Sequence, residues 1–132
     1  MTQVLVTGGA GFIGSHIVKR FVAGGYEVSV VDNLSSGRKE ALPAHVPLFE
    51  LDILSPELDR LLARLQPEVV IHLAAQTDVS FSVENPLADA RINIEGTLNV
   101  LEAARKHGVR HFLFASSAAV YGEVDVLPVT ES

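Results

Sequence analysis

The sequence has no cysteine, which removes disulfides, thiolate metal sites and cysteine nucleophiles from consideration. That composition suits a reducing compartment. Basic residues are also scarce: 10 Lys+Arg stand against 16 Asp+Glu, a formal net charge of −6, with no basic tract. A nucleic-acid partner needs a positive face for its phosphates, so that class of function is set aside. Long apolar runs are missing too. The hydrophobic stretches are short and broken by glycine, well under the ~20 residues a bilayer span requires. The opening Met1-Thr2-Gln3-Val4 lacks the positive start of an export signal. The expectation is a cytoplasmic soluble domain with neither a nucleic-acid nor a membrane partner. Its 132 residues, 48% of them hydrophobic and 20% charged, fit one domain with room for a core without staples.

Short apolar runs alternate with longer helical patterns. Strands are predicted at 3–7 (QVLVT), 27–32 (EVSVVD), 47–53 (PLFELDI), 69–74 (VVIHLA) and 111–116 (HFLFAS). They read as near-continuous apolar runs, as strands of a parallel sheet covered on both faces do. A helix is predicted at 12–23, stopped by Gly24-Gly25, and another to about Leu65, capped by Ser55 with Pro56 at its first position. A loop is expected through Asn85, then a long helix over 86–107. Its apolar residues Leu87, Ala90, Ile94, Leu98, Leu101 and Ala104 draw one stripe, and Gly108 stands where a left-handed cap belongs. Residues 33–46 are too polar and short for a helix. This order predicts an α/β fold, a Rossmann-type doubly wound parallel sheet of about five strands.

The first strand runs into Thr7-Gly8-Gly9-Ala10-Gly11-Phe12-Ile13-Gly14-Ser15, in which Gly9-x-Gly11-x-x-Gly14 and Gly8-x-x-Gly11-x-x-Gly14 overlap. Either spacing lets a tight turn deliver backbone to a pyrophosphate at the following helix N-terminus. A Cβ at Gly11 would block that approach, and one at Gly14 would push the helix off the sheet. The motif follows a strand, opens a helix and has an acid, Asp32, 18 residues beyond Gly14 at the end of the next strand, which is the full context of a dinucleotide fingerprint. Gly9-x-x-x-x-Gly14 also has the spacing of a nucleoside-triphosphate loop, but Ser15 stands where the lysine must be, so kinase and NTPase chemistry is excluded. Asp32 suits the ribose hydroxyls and repels a 2′-phosphate, which favours NAD over NADP. Arg38 and Lys39 lie close behind and could offset that charge for NADP, but read more simply as a solvated basic turn. Asp52 and Ile53 end the third strand, where an adenine ring could lie or a turn could simply close the strand; the residues leave both open.

These stretches resemble the extended short-chain dehydrogenase/reductase superfamily, in its nucleotide-sugar epimerase/dehydratase branch, and within it the UDP-glucose 4-epimerase-like members. The resemblance rests on TGGAGFIGSH at 7–16, VVDNLSSG at 30–37, LDI at 51–53, HLAAQ at 72–76, NIEGTLNVLEAA at 93–104 and FASSAAVYG at 114–122, in family order over essentially the whole chain. It implies that Gly8, Gly11, Phe12, Ile13 and Gly14 surround the pyrophosphate of NAD, that Asp32 and Asn33 meet the adenosine ribose with Ser36 and Gly37 near it, and that Asp52 and Ile53 flank the adenine. Leu73, Ala74, Ala75 and Gln76 would line the nicotinamide side, Asn93 would anchor the cofactor, and Ser117 would bond the sugar oxygen being oxidised. The reaction implied is transient oxidation at C4 of a UDP-hexose by bound NAD, with hydride returned to the other face.

Dehydratases and related decarboxylases of the branch place an acid between that serine and the Tyr-Gly; here the two positions are Ala118 and Ala119, which cannot move a proton. The resemblance thus implies an epimerase more than a dehydratase, with a nucleotide-sugar dehydratase or reductase of the same superfamily as a further alternative. It also implies a Tyr-x-x-x-Lys catalytic pair, yet Tyr26 has Val30 and Tyr121 has Asp125 four residues on. The pair belongs in a segment that would follow Ser132. The expectation is therefore the N-terminal NAD-binding Rossmann part of an epimerase, residues 1–132, lacking the substrate lobe and inactive alone. The alternative is a non-catalytic NAD-binding module or truncated gene product. A homo-oligomer is expected, through the exposed edge of the fifth strand or the family's dimer helix. His16, His45, His72, His107 and His111 show no metal-ligand spacing and read as packing residues, His107 with a helix-dipole role. Ser116 and Ser117 lack the Gly-x-Ser-x-Gly elbow of a serine hydrolase.

Overall fold

The computed structural model describes residues 1–131. Its strands are β1 (Gln3–Thr7), β2 (Glu27–Asp32), β3 (Leu48–Glu50), β4 (Val69–His72) and β5 (His111–Phe114). Its helices are α1 (Phe12–Ala23), α2 (Glu57–Leu65), α3 (Val79–Glu84), α4 (Pro86–Ala90) and α5 (Thr97–Lys106). The valine-rich runs pair into one parallel sheet in the order β3-β2-β1-β4-β5. The central strand is held on both sides, Val4 opposite Val28 and Val69, and Val6 opposite Val30 and Ile71.

Alternation along each strand sorts the core into two layers. Val4, Val6, Val28, Val30 and Ile71 pack with Val18 of α1 on one face. Leu5, Val31 and Val70 pack with Leu58, Leu61 and Leu62 of α2 and Val100, Ala103 and Ala104 of α5 on the other. Both faces are used, which is why the strands read as unbroken apolar runs. The chain winds outward from β1 to β3, then returns to build β4 and β5. The strand order therefore reverses beside β1, and a crevice opens at the C-terminal ends of β1 and β4. The Rossmann-type doubly wound expectation matches this architecture.

Several boundaries differ from the sequence reading. β3 has three residues rather than the 47–53 expected: Leu51 N–H makes a last bond to the Asp32 carbonyl, 3.2 Å, and the chain then turns over the Asp52 side chain, whose Oδ1 accepts from Leu54 N–H at 2.8 Å. β4 stops at His72 instead of 74: the Leu73 amide makes a last bond to the Thr7 carbonyl at 3.1 Å, shared with the Thr7 hydroxyl, and the Ala74 amide turns to that hydroxyl at 3.3 Å. β5 stops at Phe114 instead of 116. Helix α2 starts at Glu57, whose amide donates to Ser55 Oγ at 3.2 Å, so the expected cap stands one residue further out. The stretch read as loop through Asn85 contains α3, capped by Asp78 Oδ1 accepting from Phe81 N–H at 2.7 Å. Residues 33–46 hold only a 3₁₀ turn at Lys39–Ala41.

The long helix is present as a rod over 86–106, closed by Gly108 at φ +72°, but it is not regular. A π-helical segment, Arg91–Gly96, separates α4 from α5. There the Thr97 hydroxyl donates to the Asn93 carbonyl at 2.7 Å. The apolar stripe mostly faces outward: Leu87, Ile94, Leu98 and Leu101 are exposed, and of its members only Ala104 is buried. The face that meets the sheet is Gly96, Val100, Ala103 and Ala104. Small residues there let the rod lie close, and steps of three and four mark a face without saying which neighbour covers it.

Gly9 sets how near α1 sits to the sheet. A Cβ there would lie 2.8 Å from both methyls of Val30, a fully buried β-branched residue with no room to rotate. Gly9→Ala is expected to lower the unfolding free energy by about 1–3 kcal/mol, the range for overpacking a tight core. Urea unfolding with an unchanged midpoint would show that α1 can retreat without cost.

Candidate functional site

The glycine turn is built by contacts that only glycine permits. Gly8 leaves β1 at φ +69°, and a Cβ on it would fall 2.7 Å from the Ala74 amide nitrogen. Its own amide donates to the Val31 carbonyl at 2.8 Å. A Cβ on Gly14 would run into the Gly8 carbonyl and lie 2.7 Å from Gly9 Cα. Gly14 therefore lets the first turn of α1 pass over the loop backbone, while the close approach to the sheet expected of it belongs to Gly9. Gly11 differs: its φ is −74°, and a Cβ would meet only the Gly8 carbonyl, at 3.3 Å. Gly11 is the N-cap of α1 and makes no side-chain cap, so the amides of Phe12, Ile13 and Gly14 have no partner within the helix. Phe12 and Ile13 extend their side chains into solvent beside them.

Asp32 holds this turn from the neighbouring strand. It is 8% exposed, with Oδ2 accepting from Ala10 N–H and Oδ1 from Leu34 N–H, both at 2.9 Å. Each oxygen retains a further lone pair for an outside donor. Residues 33–38 lie across the turn: Arg38 N–H donates to the Ala10 carbonyl at 3.0 Å, and a Cβ on Gly37 would meet Ala10 Cβ at 2.9 Å and Asp32 Oδ1 at 3.0 Å. Gly37 thus has a packing reason to be glycine. Ser36 is exposed on the same loop. Beyond it Asn33 Nδ2 donates to Asp52 Oδ2 at 2.9 Å, tying the ends of β2 and β3, and Ile53 is buried beneath.

The second group surrounds a cleft of about 680 Å³ at the ends of β4 and β5. Leu73, Ala74, Ala75, Gln76, Asn93 and Ser117 all line it. Gln76 and Asn93 are locked backbone to side chain: Asn93 Oδ1 accepts from Gln76 N–H at 2.8 Å and Asn93 Nδ2 donates to the Gln76 carbonyl at 2.9 Å. Asp89 Oδ1 accepts from both side-chain amides, at 3.1 Å from Gln76 and 3.3 Å from Asn93. Ser117 caps the 3₁₀ turn Ala118–Tyr121, its Oγ accepting from Ala119 N–H at 3.2 Å.

Between the two groups lies His72, fully buried between Thr7 Oγ1, 2.7 Å from Nδ1, and Thr97 Oγ1, 3.0 Å from Nε2. The Thr97 hydroxyl already donates to the Asn93 carbonyl, so it accepts from Nε2–H. Nδ1 is then the acceptor for the Thr7 hydroxyl, which itself accepts from the Leu73 and Ala74 amides. The network assigns one neutral tautomer. Burial, with Phe112 and Phe114 each 6.0 Å from the ring, pushes the His72 pKa down to about 4.

The NAD-dependent epimerase/dehydratase family model matches residues 4–132. The chain belongs to that family. It is 46% identical over 135 residues to the UDP-glucose 4-epimerase of Mycolicibacterium smegmatis, covering 98% of this chain and 43% of that protein. The Thermus thermophilus UDP-glucose 4-epimerase, solved with NAD, superposes with a TM-score of 0.91 at 48% identity, over 98% of this chain and 42% of that one. The Thermotoga maritima enzyme, solved with UDP-glucose, gives 0.90 at 46% identity, over 97% and 42%. The chain thus spans about two-fifths of the length of these relatives.

For this family member the residues expected at the site fall into two clusters at one edge of the sheet. The glycine turn, Asp32, Asn33, Asp52 and Ile53 form one, the cleft residues the other, and they meet where Gly8 abuts Ala74. Sequence reasoning missed Thr7, Thr97 and Asp89, which hold the cleft from behind, and read His72 only as packing. Thr97 stands four residues after Asn93, a spacing that brings the two onto one helix face. The pairing of Thr7 with His72 spans 65 residues and has no local signal. Among the described residues no cluster of His, Asp and Glu could hold a metal ion, and no helix is long and apolar enough to cross a membrane.

His72 also links stability to pH. The unfolded histidine takes a proton near pH 6.5, whereas the folded one resists until about pH 4. Protons therefore favour the unfolded chain as pH falls through that window, so the contribution is whole above 6.5 and is lost towards 4. Between pH 7.5 and 5 about 2 kcal/mol should disappear through this residue. In His72→Gln that component of the acid slope is expected to vanish, as urea unfolding across the two pH values would show.

Proposed function

We propose that this chain is the NAD-binding portion of a nucleotide-sugar 4-epimerase of the UDP-glucose/UDP-galactose type. Gly11 carries the reading. Neither its backbone angle nor protein packing strongly demands glycine there, but a phosphate resting on the open amides of α1 would. A pyrophosphate at that N-terminus has Asp32 on one side for the ribose hydroxyls and the Ala74–Gln76 side of the cleft on the other. In this reading Gly8, Gly11, Phe12, Ile13 and Gly14 hold the pyrophosphate; Asp32, Asn33, Ser36 and Gly37 the adenosine ribose; Asp52 and Ile53 the adenine; Leu73, Ala74, Ala75, Gln76 and Asn93 the nicotinamide half. NAD supplies reversible hydride transfer at C4 of the sugar. Ser117 at the cleft mouth hydrogen-bonds the sugar oxygen, and the methyl groups of Ala118 and Ala119 leave no acid to drive water elimination, which favours epimerisation over dehydration. The proton acceptor, a Tyr-x-x-x-Lys pair, is not among these residues.

A second copy of the chain is the proposed partner of the outward stripe. Leu87, Ala90, Ile94 and Leu98 line a groove rimmed by Arg91 and Glu95, whose side chains stand 3.5 Å apart. Two-fold pairing of the rods would bury the same apolar row on both sides and keep opposite charges along the rim.

Calorimetric titration with NAD tests the site. Asp32→Ala and Gly11→Val are each expected to weaken binding by about tenfold or more, with little change in unfolding midpoint for Gly11→Val. Unchanged affinity in both would overturn the assignment, and conversion of UDP-galactose by the purified 132-residue chain would overturn the need for a separate base. Ile94→Glu combined with Leu98→Glu is expected to convert a dimer to a monomer in light scattering; a monomeric parent chain at high concentration would refute the pairing.

A further inference from the structure

The rod over 86–106 does more at the site than supply Asn93. Asn99, six residues further along, points its side-chain amide at the turn between β3 and α2. Its Nδ2 donates to the Ile53 carbonyl at 2.6 Å and to the Ser55 carbonyl at 3.2 Å, which uses both of its N–H bonds. One turn before it Gly96 presses on Ile53, where a Cβ would lie 2.6 Å from Cδ1 and 2.8 Å from Cγ1. The turn is held besides by the Ile53 side chain, buried in the core, and by the Leu58 amide on the Ser55 carbonyl at 3.1 Å. β3 ends at Glu50, and after the Leu51 amide no sheet hydrogen bond reaches this stretch. Within the turn the Ser55 amide bonds only back to the Asp52 carbonyl, at 3.0 Å. The Asp52 carboxylate, which receives Leu54 N–H on one oxygen and Asn33 Nδ2 on the other, is therefore placed by a loop whose two carbonyls are anchored on α5.

We propose that Asn99 is a positioning residue for the adenosine end of the site, acting through the Asp52–Ser55 turn as Asn93 acts on the nicotinamide end through Gln76. One rod thus fixes both ends of the cofactor trough, and the π-helical segment lies between its two fastenings. The inference rests on the NAD-site reading above and adds a residue that touches no ligand itself.

ADP separates the two ends, because it carries the adenosine and diphosphate without the nicotinamide. With purified chain well below its unfolding midpoint, Asn99→Ala is expected to weaken ADP and NAD by the same factor, about tenfold, as for two lost hydrogen bonds to half-buried carbonyls. Asn93→Ala should weaken NAD and leave ADP unchanged. Asn99→Asp, equal in size but without the donor, should behave as the alanine variant, and Asn99→Gln, which keeps the donor, should recover part of the affinity. Asn99→Asp also serves if the alanine variant fails to fold. A lower unfolding midpoint with wild-type ADP affinity in either folded variant would reduce Asn99 to a stabilising residue and overturn the proposal. Loss of NAD but not ADP binding in Asn99→Asp would overturn it equally. Parent chain that binds neither ADP nor NAD would instead refute the site itself.

Discussion

The C-terminal edge of the sheet depends on how closely the turn leaving β1 lies against the turn leaving β4. There is no space for a single methyl between Gly8 and the Ala74 backbone. That approach places the Thr7 hydroxyl where it can take the Leu73 and Ala74 amides and give its own proton to His72. From the other side Asp32 binds the Ala10 amide. Three strand ends are thereby joined into one surface whose remaining free groups are the amides of α1 and the cleft beside Gln76. A side chain at Gly8 would separate the two halves before any ligand chemistry came into question.

Behind this edge the polar groups are arranged in closed sets. His72 has both nitrogens engaged, Asn93 has donor and acceptor engaged by one residue, and Asp52 has both oxygens occupied. No described side-chain nitrogen or oxygen is buried without a partner. A buried polar network is stable only when complete, and a complete one permits few alternative geometries. This favours a trough that is already formed before a ligand enters. The rod over 86–106 connects these sets: it carries Asn93 and Thr97 towards the cleft, Gly96 and Asn99 towards the β3–α2 turn, and Val100, Ala103 and Ala104 into the core. Its other face, with Leu87, Ile94, Leu98 and Leu101, is apolar and exposed.

Much of this was legible along the chain because it is written in local spacing. The five strands, α1, the cap at Gly108 and the fingerprint ending at Asp32 each depend on residues near one another in sequence. The fold class followed from their order. What sequence reasoning placed wrongly has both local and long-range causes. The strands β3, β4 and β5 were overextended; β3 is closed by the local turn over Asp52, and after β4 the Ala74 amide goes to the Thr7 hydroxyl, 67 residues away. The cap at Asp78 was locally encoded, and α3 was overlooked only because six residues carry no clear periodicity.

By itself the sequence determined the parallel α/β order, the need for a glycine turn and the identity of the acid facing it, since each is a matter of backbone conformation and short-range spacing. The tertiary structure decided which glycine does what, Gly9 against Val30, Gly8 against Ala74 and Gly11 against almost nothing. It decided that the apolar stripe of the long helix faces outward, and that His72 is neutral with one defined tautomer. Those outcomes depend on which surfaces meet across tens of residues, where neither hydrophobic period nor motif spacing carries information.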